Sequence, residues 1–405
     1  MIRRIAVFTG NRAEYGLQLP IIRAINERRD METILLVSGA HLDENFGATL
    51  AEIEGDGLEI SGEIKISMNM NSKVGTAHAI GSGIIEISNA LQRLKPDLLV
   101  VYADRFEGFA AVIAGTQMNI PTAHIEGGDI TEGGALDDSV RHAMTKLAHL
   151  HFTTNIQATN RILAMGEESW RVNTVGFPAI DLISKGDYAS QTQIVNQLDL
   201  DLSKPVVLFT QHSVTTEFRE APKQVASSLE ALEALAREGV QIIITYPNND
   251  AGGEAIIAEI LKFQERKIEN IKVFKSLGRS IYHGVLALSR NSDLSIACVG
   301  NSSSGIKETP AFGCPTVNIG SRQEGRLRGG NVIDTAYDST EIYNAIKNCL
   351  YNPEFRKISR EFPNPYWVGG AGIKIAEILS KVSLDKNLLR KKMMNNGELV
   401  DGWYR

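Results

Sequence analysis

The stretch LLVVYADRFEGFAAVIAGTQMNIPTAHIEGGD, residues 98–129, decides the fold of this chain. It contains two short apolar runs, Leu98–Tyr102 and Pro121–Ile125, and a segment with helical periodicity between them. Continuous apolar strands that alternate with helices are typical of a parallel sheet covered by helices on both faces. The stretch therefore predicts one repeat of a doubly wound α/β fold.

The same alternation extends along the chain in both directions. Before residue 180, the further predicted strands are Ile5–Thr9, Thr33–Val37, His149–Thr153 and Val172–Val175. After residue 180, the predicted strands are Val206–Thr210, Gln241–Thr245, Ile271–Phe274, Asp293–Val299 and Thr316–Ile319. A segment with Gly and Pro, residues 176–181, separates the two sets. We therefore expect two Rossmann-like domains, residues 1–180 and 181–365.

The domain pattern also predicts where ligands bind. Doubly wound sheets bind ligands at the carboxyl ends of their strands, so we expect the two domains to face a shared cleft. Residues 366–382 carry apolar side chains at helical spacing, and we expect this helix to pack back on the first domain. Residues 383–405 are polar and rich in lysine, which predicts a solvated tail.

The composition excludes several classes of protein. The 405 residues carry 42 Lys and Arg against 48 Asp and Glu, a net charge of −6, and no basic block for nucleic-acid binding. No segment has the roughly 18 consecutive apolar residues of a membrane span. Residues 1–10 lack the pattern of a signal peptide, and three widely spaced cysteines fit neither disulfides nor zinc. We expect a soluble cytoplasmic protein.

Two segments that follow predicted strands are suited to an anionic ligand. The loop Gly10–Gly16 places Arg12 at a helix start, but it matches neither a dinucleotide fingerprint nor a P-loop. Taken alone, Arg12 is better explained as a surface arginine paired with Glu14. Asn301–Glu308 runs from a strand into a helix through three serines, so hydroxyls and backbone N–H groups would converge on a diphosphate. Glu308 could bind a ribose, and an ordinary serine N-cap is the alternative.

The densest group of polar residues follows the two strands of the opening stretch. Asp104 and Glu126 each come directly after an apolar run, so both carboxylates are expected at the carboxyl edge of the sheet. For either one alone, a helix cap or a loop position is an equal explanation. Carboxylates that converge shift each other's pKa values apart, so that one serves as a base while its neighbour stays protonated.

Histidines are the remaining candidates. His212 follows a predicted strand of the second domain and could donate to a phosphate, although a lone histidine there is more often a core residue. His149 and His151 share one face of a strand, but the sequence offers no third metal ligand. We therefore expect no metal site.

These segments together resemble the UDP-N-acetylglucosamine 2-epimerase family, specifically its hydrolysing branch, from residue 1 to about residue 380. The resemblance rests on the order and spacing of short segments along the whole chain. They are Arg12–Gly16 (RAEYG), Ser38–Leu42 (SGAHL), Asp104-Arg105, His124–Gly128 (HIEGG), Arg141-His142, Pro247-Asn248, Asn301–Gly305 with Glu308, and Ala311–Pro315 with Arg322.

The resemblance implies a GT-B-like fold in which a nucleotide sugar binds mainly to the second domain. The residues it implies for nucleotide-sugar binding are Arg12, Arg105, His212, Asn248, Ser302, Ser303, Glu308 and Arg322. Among them, the two serines would hold the diphosphate and the glutamate the ribose. The catalytic residues it implies are Asp104, Glu126, Asp137 and His212. It implies no cofactor and a homodimer or homotetramer.

The implied reaction is the hydrolysing epimerisation of UDP-N-acetylglucosamine to UDP and N-acetylmannosamine, which feeds sialic acid biosynthesis. Glu126 or Asp104 removes the proton from sugar carbon 2 while UDP leaves, and His212 stabilises the leaving charge. Water then adds to the resulting glycal with Asp137 as the acid partner. Because no hydride is transferred, no redox cofactor is needed, which agrees with the missing dinucleotide fingerprint.

Other interpretations stay open on the sequence. The non-hydrolysing branch would return UDP-N-acetylmannosamine, although the RAEYG and SGAHL segments are more similar to the hydrolysing branch. Tyr102 stands where the family has histidine, and Thr131–Ala135 is lengthened. These departures leave a UDP- or GDP-linked 2,4-diacetamido-trideoxyhexose as an alternative substrate, and Asp138 as an alternative to Asp137.

Two further alternatives, a glycosyltransferase and a sensor, have no need of the carboxylates Asp104 and Glu126. A GT-B glycosyltransferase would share the fold but would not need several carboxylates near sugar carbon 2. A nucleotide-sugar sensor would keep the diphosphate site and would tolerate the loss of Asp104 and Glu126, and both are present here.

Overall fold

The computed structural model contains two compact α/β units. One unit comprises Met1–Asp129, Leu136–Asp181 and Val368–Arg405, and the other comprises Ile130–Ala135 and Leu182–Trp367. The structure describes residues 2–10, 12–42, 50–66, 73–131, 136–248 and 251–394.

The first unit contains a parallel sheet of seven strands. The strands are β1 (Arg3–Thr9), β2 (Met31–Ser38), β3 (Ile60–Ile64), β4 (Leu98–Tyr102), β5 (Thr122–Ile125), β6 (Leu150–Thr153) and β7 (Val172–Thr174). Their order in the sheet is β3-β2-β1-β4-β5-β6-β7. β4 and β5 lie inside the sheet and are buried along their whole length, as expected for apolar strands covered on both faces.

The second unit contains a parallel sheet of six strands. The strands are β8 (Val206–Thr210), β9 (Gln241–Thr245), β10 (Ile271–Phe274), β11 (Ile296–Gly300), β12 (Thr316–Ile319) and β13 (Val332–Thr335), in the order β10-β9-β8-β11-β12-β13. Successive residues of β8 pack into opposite cores: Val207 and Phe209 belong to one hydrophobic cluster, and Val206 and Leu208 to another. Both faces of this sheet are therefore covered.

Helices follow most of the strands. They are α1 (Arg12–Asn26), α2 (Leu50–Gly55), α3 (Lys73–Leu94), α4 (Phe106–Gln117), α5 (Leu136–Leu147), α6 (Ile156–Ala164), α7 (Ala179–Ser184), α8 (Gln191–Leu198), α9 (Ala221–Arg237), α10 (Gly253–Gln264), α11 (Gly278–Ala287), α12 (Ser304–Lys307), α13 (Thr309–Phe312), α14 (Ser339–Tyr351), α15 (Pro353–Glu361), α16 (Ala371–Lys381) and α17 (Lys386–Leu389). Among the described residues, none of these helices combines the length and apolar character that crossing a membrane requires.

The strand order reverses once in each sheet, between β1 and β4 and between β8 and β11. This order, with parallel strands and helical crossovers, confirms the predicted doubly wound α/β class. Doubly wound sheets bind ligands outside the carboxyl ends of their strands at such reversal points. The segments that follow β4 and β11 carry Asp104 and Ser302, two of the predicted site residues.

Two strands were absent from the sequence prediction, and both lie at a sheet edge. β3 reads ISGEI and β13 reads VIDT, and neither is buried along its whole length. Because an edge strand is covered less than a central one, Gly, Glu and Asp are tolerated there. These polar residues interrupt the apolar runs by which the other strands were predicted.

The helix α16 packs on α1 of the first unit, as the fold prediction expected. The guanidinium of Arg3 donates to the carbonyl oxygen of Leu379 on α16. The carboxylate of Asp181 accepts hydrogen bonds from the backbone N–H groups of Ala371 at 3.1 Å and Gly372 at 2.8 Å. Asp181 therefore satisfies two of the free N–H groups at the start of α16.

The described part of the predicted tail, residues 383–394, is attached to the first unit, although most of its residues are exposed. The fully buried guanidinium of Arg171 donates to the carbonyl oxygens of Asn387 and Leu388 at 2.8 Å and of Arg390 at 3.1 Å. Lys391 is also bound, with Nζ 2.7 Å from a carboxylate oxygen of Glu167. The attachment to Arg171 uses backbone carbonyl oxygens, which the side-chain polarity of the segment does not predict.

Candidate active site

The end of β4 places Asp104 at the carboxyl edge of the first sheet. Ala103 has a positive φ of 52° and turns the chain sharply after the strand. His124 on β5 holds this turn: its Nε2 donates to the Ala103 carbonyl at 2.7 Å, and its Nδ1 accepts from the Thr145 hydroxyl at 3.1 Å. Burial lowers the pKa of His124 to about 3, so the ring stays neutral. His124 is therefore a structural residue behind Asp104.

Glu126 follows β5 in a left-handed backbone conformation, with φ at 64°. This conformation is uncommon for a residue with a side chain and is typical of functional sites. Its N–H donates to the Phe152 carbonyl at 2.9 Å. The turn continues through Gly128, where a Cβ would lie 2.4 Å from the Ala158 carbonyl oxygen. The chain is thus held tightly where it presents the Glu126 carboxylate.

Tyr102 is buried at the end of β4, next to Glu126. Burial, followed by the charge of Glu126, raises the pKa of the Tyr102 phenol well above its usual range. A phenol that stays protonated can serve only as a neutral donor or acceptor near neutral pH. Tyr102 therefore places an uncharged hydroxyl group beside the carboxylate of Glu126.

Arg141 on α5 connects two carboxylates. Its buried guanidinium forms an ion pair with Asp104, and its Nη1 lies 3.4 Å from Oδ1 of Asp138. Asp138 is buried, whereas Asp137 is exposed. The structure thus joins Asp138 to Asp104 through one arginine and leaves Asp137, the residue chosen from the sequence, on the outer side of the helix.

A second pair of carboxyl groups was missed by the sequence analysis. Glu14 on α1 and Glu107 on α4 are both buried. The N–H of Gly10 donates to Glu14 at 3.0 Å, and Nε of Arg105 lies 3.7 Å from Glu107. Burial, followed by the charge of Glu107, raises the pKa of Glu14 to about 8, and burial raises the pKa of Glu107. At neutral pH the pair therefore retains a proton. Their places in the RAEYG segment and directly after Asp104-Arg105 were the available signals.

The segment around β1 and β2 contributes to the same edge of the sheet. Arg12 begins α1 directly after β1, and its side chain lies outside the described residues. The Thr9 hydroxyl at the end of β1 pairs with Nε2 of His41, from the SGAHL segment, at 3.0 Å. The rings of Tyr15, from the RAEYG segment, and His41 meet edge to face with their centroids 6.2 Å apart, so two of the segments that carry the family resemblance are in contact at this edge.

In the second unit, His212 directly follows β8 and is held from both sides. Its N–H donates to Oδ1 of Asn301 at 2.7 Å, and Nδ2 of Asn301 donates to the His212 carbonyl at 2.9 Å. The Asn248 N–H donates to Nδ1 of the ring at 3.0 Å. Burial, followed by the charge of Arg322, lowers the pKa of His212 to about 3. Because Nδ1 accepts, the neutral ring carries its proton on Nε2 and offers a fixed donor.

The turn after β11 is anchored by the backbone carbonyl of Asn301. Nη1 of Arg322 donates to this oxygen at 3.1 Å, and Nε2 of Gln323 donates at 2.9 Å. Gly300 precedes the turn, and a Cβ there would lie 1.9 Å from the Thr210 carbonyl oxygen. Glycine therefore allows the ends of β8 and β11 to come together, which brings Asn301, His212, Asn248 and Arg322 into one group.

The serine segment places two hydroxyls and a carboxylate near one another. Ser302 and Ser303 lie between β11 and α12, and neither is buried. Glu308 is buried, and its Oε2 accepts from Oγ of Ser304 at 2.6 Å and from Nε2 of His283 at 3.1 Å. Burial opposes ionisation of Glu308, but His283 and these hydrogen bonds outweigh it and lower the pKa. Glu308 is therefore a fixed carboxylate.

In the described part of the chain, no group of three or more His, Cys, Asp or Glu side chains is placed to hold a metal ion. The two histidines considered from the sequence have other partners. Nδ1 of His149 accepts from the Thr122 N–H at 3.0 Å, and Nε2 of His151 pairs with Glu167 at 3.1 Å. Both rings hold the structure of the first unit together.

A family model described as UDP-N-acetylglucosamine 2-epimerase matches residues 23–380. The chain belongs to the UDP-N-acetylglucosamine 2-epimerase family. This confirms the family resemblance, and the chain is therefore a member of a family of nucleotide-sugar enzymes.

Individual members of the UDP-N-acetylglucosamine 2-epimerase family are similar over nearly the whole chain. A UDP-N,N'-diacetylbacillosamine 2-epimerase (hydrolyzing) from Legionella pneumophila is 32% identical over 96% of this chain and 99% of its own length. A UDP-N-acetylglucosamine 2-epimerase from Neisseria meningitidis serogroup B is 31% identical over 86% of this chain and 88% of its own length.

A solved structure of the family is similar in fold. The crystal structure of UDP-GlcNAc 2-epimerase from Neisseria meningitidis bound to UDP-GlcNAc has a TM-score of 0.79 and 18% sequence identity, covering 94% of this chain and 100% of that one. The likeness confirms the predicted fold class, two Rossmann-like sheets of the GT-B type.

Proposed function

We propose that this chain is a hydrolysing 2-epimerase, which converts a UDP-linked 2-acetamido sugar and water into UDP and the free 2-epimeric sugar. The observation that carries the proposal is that Asp104, paired with Arg141, and Glu126 follow the neighbouring strands β4 and β5 beside the strand-order reversal of the first sheet. A carboxylate at this place suits removal of a proton from a bound sugar. The Legionella relative, which is named as hydrolysing and covered over 99% of its length, supports the choice of branch.

We propose UDP-N,N'-diacetylbacillosamine, a 2,4-diacetamido-trideoxyhexose, as the first substrate to test. The Legionella relative named for this sugar is similar over 96% of the chain. UDP-N-acetylglucosamine is the second candidate, because the Neisseria relative named for it is 31% identical. Tyr102, a buried neutral phenol beside Glu126, is the residue we expect to distinguish this chain from epimerases with histidine at the corresponding position.

The first chemical step is elimination of UDP across carbons 1 and 2 of the sugar. The hydrogen on carbon 2 is not acidified by a neighbouring carbonyl, so its removal must be coupled to departure of the leaving group. We assign proton removal to Glu126, which is fixed by its left-handed turn, because Asp104 is already held in an ion pair with Arg141. The C1–O bond breaks, its electron pair leaves with UDP, and a double bond forms between carbons 1 and 2.

The second unit supplies donors for the departing diphosphate. Ser302 and Ser303 offer hydroxyls at the end of β11, and His212 offers the N–H of Nε2. A donor that is fixed before the reaction stabilises developing negative charge without reorganising. Among the other residues implied by the resemblance, Arg322 and Asn248 belong to the same group as His212. Arg12 and Arg105 of the first unit stay proposals for further nucleotide contacts.

The second step is addition of water to the glycal. The oxygen of water bonds to carbon 1, and a proton is delivered to carbon 2 on the face opposite to the one from which the first proton left. We assign Asp138 instead of Asp137 to pass a proton from water to carbon 2, because Asp138 is buried and shares Arg141 with Asp104. The products are UDP and a free sugar with inverted configuration at carbon 2, so no external reductant or oxidant is consumed.

Incubation in deuterated water, followed by NMR of the sugars, tests the reaction. UDP-N,N'-diacetylbacillosamine, its GDP-linked counterpart and UDP-N-acetylglucosamine are compared in parallel. We expect free 2-epimeric sugar with deuterium at carbon 2 and one UDP for each sugar released, with the diacetamido substrate turned over fastest. An intact epimerised nucleotide sugar would assign the chain to the non-hydrolysing branch, and faster turnover of UDP-N-acetylglucosamine would reverse the order of the substrates.

Amide variants test the assigned carboxylates. We expect Glu126→Gln and Asp104→Asn each to lower kcat by about 100- to 10,000-fold, because each removes a group that takes part in proton transfer or holds one that does. UDP binding, measured by calorimetry, should change little in both, since the proposed diphosphate donors lie in the other unit. A variant that keeps its kcat, or that loses UDP binding in parallel with kcat, contradicts the assignment.

A further inference from the structure

His283 is a buried histidine that is hydrogen-bonded to the carboxylate of Glu308. It lies on α11 and packs against Phe312, with the ring centroids 5.5 Å apart. Its Nε2 is 3.1 Å from Oε2 of Glu308. Its Nδ1 is buried and makes no hydrogen bond within the described residues. A buried ring nitrogen without a hydrogen-bond partner destabilises the fold. The hydrogen bond from Nε2 to Glu308 is therefore the contact that accounts for a histidine at this position.

The two donors on Glu308 converge on the same oxygen. Oγ of Ser304 donates to Oε2 at 2.6 Å, one helical turn away, and Nε2 of His283 approaches the same atom from α11. Across the described chain, Oε1 of Glu308 receives no such bond. Because a carboxylate can turn about its last bond, two donors on Oε2 fix its plane and hold Oε1 in a defined direction.

We infer that His283 is a positioning residue that sets the selectivity of this chain for ribonucleotides. The inference rests on the proposed function, in which Glu308 accepts hydrogen bonds from the ribose hydroxyls of the nucleotide. With Oε2 held by His283 and Ser304, Oε1 is directed toward the ribose. A nucleotide without the 2′-hydroxyl would leave this carboxylate oxygen without its donor, which weakens binding.

Binding of UDP and 2′-deoxy-UDP, measured by calorimetry, tests the inference. We expect the wild-type chain to bind UDP about tenfold or more tightly than 2′-deoxy-UDP, as for a hydrogen bond to a charged group. His283→Phe keeps the packing against Phe312 but removes the donor, so the preference should fall severalfold. His283→Gln returns an N–H donor near the position of Nε2 and should recover most of the preference.

Two further variants separate positioning from general loosening of the fold. Ser289 lies just after α11, and its hydroxyl donates to the carbonyls of Leu286 at 2.6 Å and Phe312 at 3.1 Å, away from the carboxylate of Glu308. Ser289→Ala should therefore keep the wild-type ratio of the two affinities. Ser304→Ala removes the other donor to Glu308 and should lower the ratio, which tests the inference even where His283→Phe fails to fold.

The coupling to Glu308 is tested by a double-variant cycle. In a Glu308→Gln background, adding His283→Phe should change the ratio of affinities no further, because the histidine acts through the carboxylate. In turnover, the loss for His283→Phe should fall on KM more than on kcat. An unchanged ratio in His283→Phe, or tight UDP binding by the wild type without preference over 2′-deoxy-UDP, overturns the inference and leaves the proposed function standing. Absence of UDP binding by the wild type overturns both.

Discussion

At the scale of single residues, the role of each carboxylate depends on its partner. Asp138 is buried, 3.4 Å from Nη1 of Arg141, whereas Asp137 precedes it on the same helix and is exposed. Consecutive helical residues point in directions about 100° apart, so the two cannot make the same contact. The difference of one position therefore decides which aspartate belongs to the carboxylate group.

This difference leads to a paired prediction. Asp138→Asn should lower kcat by about 100-fold or more, because it removes the carboxylate that shares Arg141 with Asp104 and that passes a proton in water addition. Asp137→Asn is the matched control and should turn over close to the wild type. Steady-state kinetics with the nucleotide sugar that the wild type prefers measures both. Equal losses of kcat in the two variants would contradict the assignment of Asp138 instead of Asp137.

The sequence predicted the place of some candidate residues and could not predict that of others. Asp104 and Glu126 were expected at the carboxyl edge of the sheet because each comes just after a buried strand, and the end of a parallel strand is a fixed place in a sheet. The choice between Asp137 and Asp138 depended on the helical phase, which the length of the preceding segment does not determine. His283 meets Glu308 through packing of α11, a contact that no local sequence pattern reports.

At the scale of elements, one arginine attaches the segment 387–390 to the first unit. Arg171 is fully buried and donates to Glu168, to the His149 carbonyl and to three carbonyls of that segment. The planar guanidinium reaches these acceptors because its donors form a rigid fork, which an ammonium group cannot reproduce. The segment is therefore part of the folded unit.

Arg171→Lys should consequently destabilise the first unit by about 2–4 kcal/mol, since buried carbonyls lose charged donors. Denaturation by urea measures the loss, and limited proteolysis near residue 390 should show earlier cleavage. Arg237→Lys is the matched control, because Arg237 is exposed and forms an ion pair with Glu233, four residues before it on α9. A loss of stability in Arg171→Lys no larger than that in Arg237→Lys would contradict the attachment of the segment 387–390 to the first unit.

Elements also differ in how well the sequence predicts them. The interior strands β4, β8 and β9 have the bounds predicted, because a strand buried on both faces contains a continuous apolar run. β3 and β13 were missed because edge strands accept polar residues. The attachment of the tail could not be predicted, because it uses backbone carbonyl oxygens, which every residue carries, and composition does not report their partners.

At the scale of the whole molecule, buried neutral histidines make stability depend on pH. Burial lowers the pKa of His124 to about 3 and that of His151 to about 4, against 6.5 in an unfolded chain. The unfolded chain therefore binds more protons below pH 6.5, and the stability that is present above pH 6.5 is lost as the pH falls toward about 4.

The expected slope is up to about 1.4 kcal/mol per pH unit for each such histidine. His124→Gln keeps a donor for the Ala103 carbonyl but cannot titrate, so it should flatten the slope. Urea denaturation of the wild type and the variant at each pH measures the difference between their free energies of unfolding. The titration of groups other than His124 contributes equally to both proteins and cancels in this difference. His78, which lies on α3, provides the control as His78→Gln, and it should follow the wild type. A His124→Gln variant with the wild-type slope would contradict the prediction.

The first unit is assembled from separated pieces of the chain, and this has a consequence during synthesis. Residues 182–367, nearly all of the second unit, leave the ribosome before Val368 and everything after it. Although domains usually fold in the order in which they are made, α16 and its partner α1 cannot meet until translation has passed the second unit. The amino-terminal half is thus translated first and completed last, and in the interval the surface of α1 that α16 will cover stays open to chaperones.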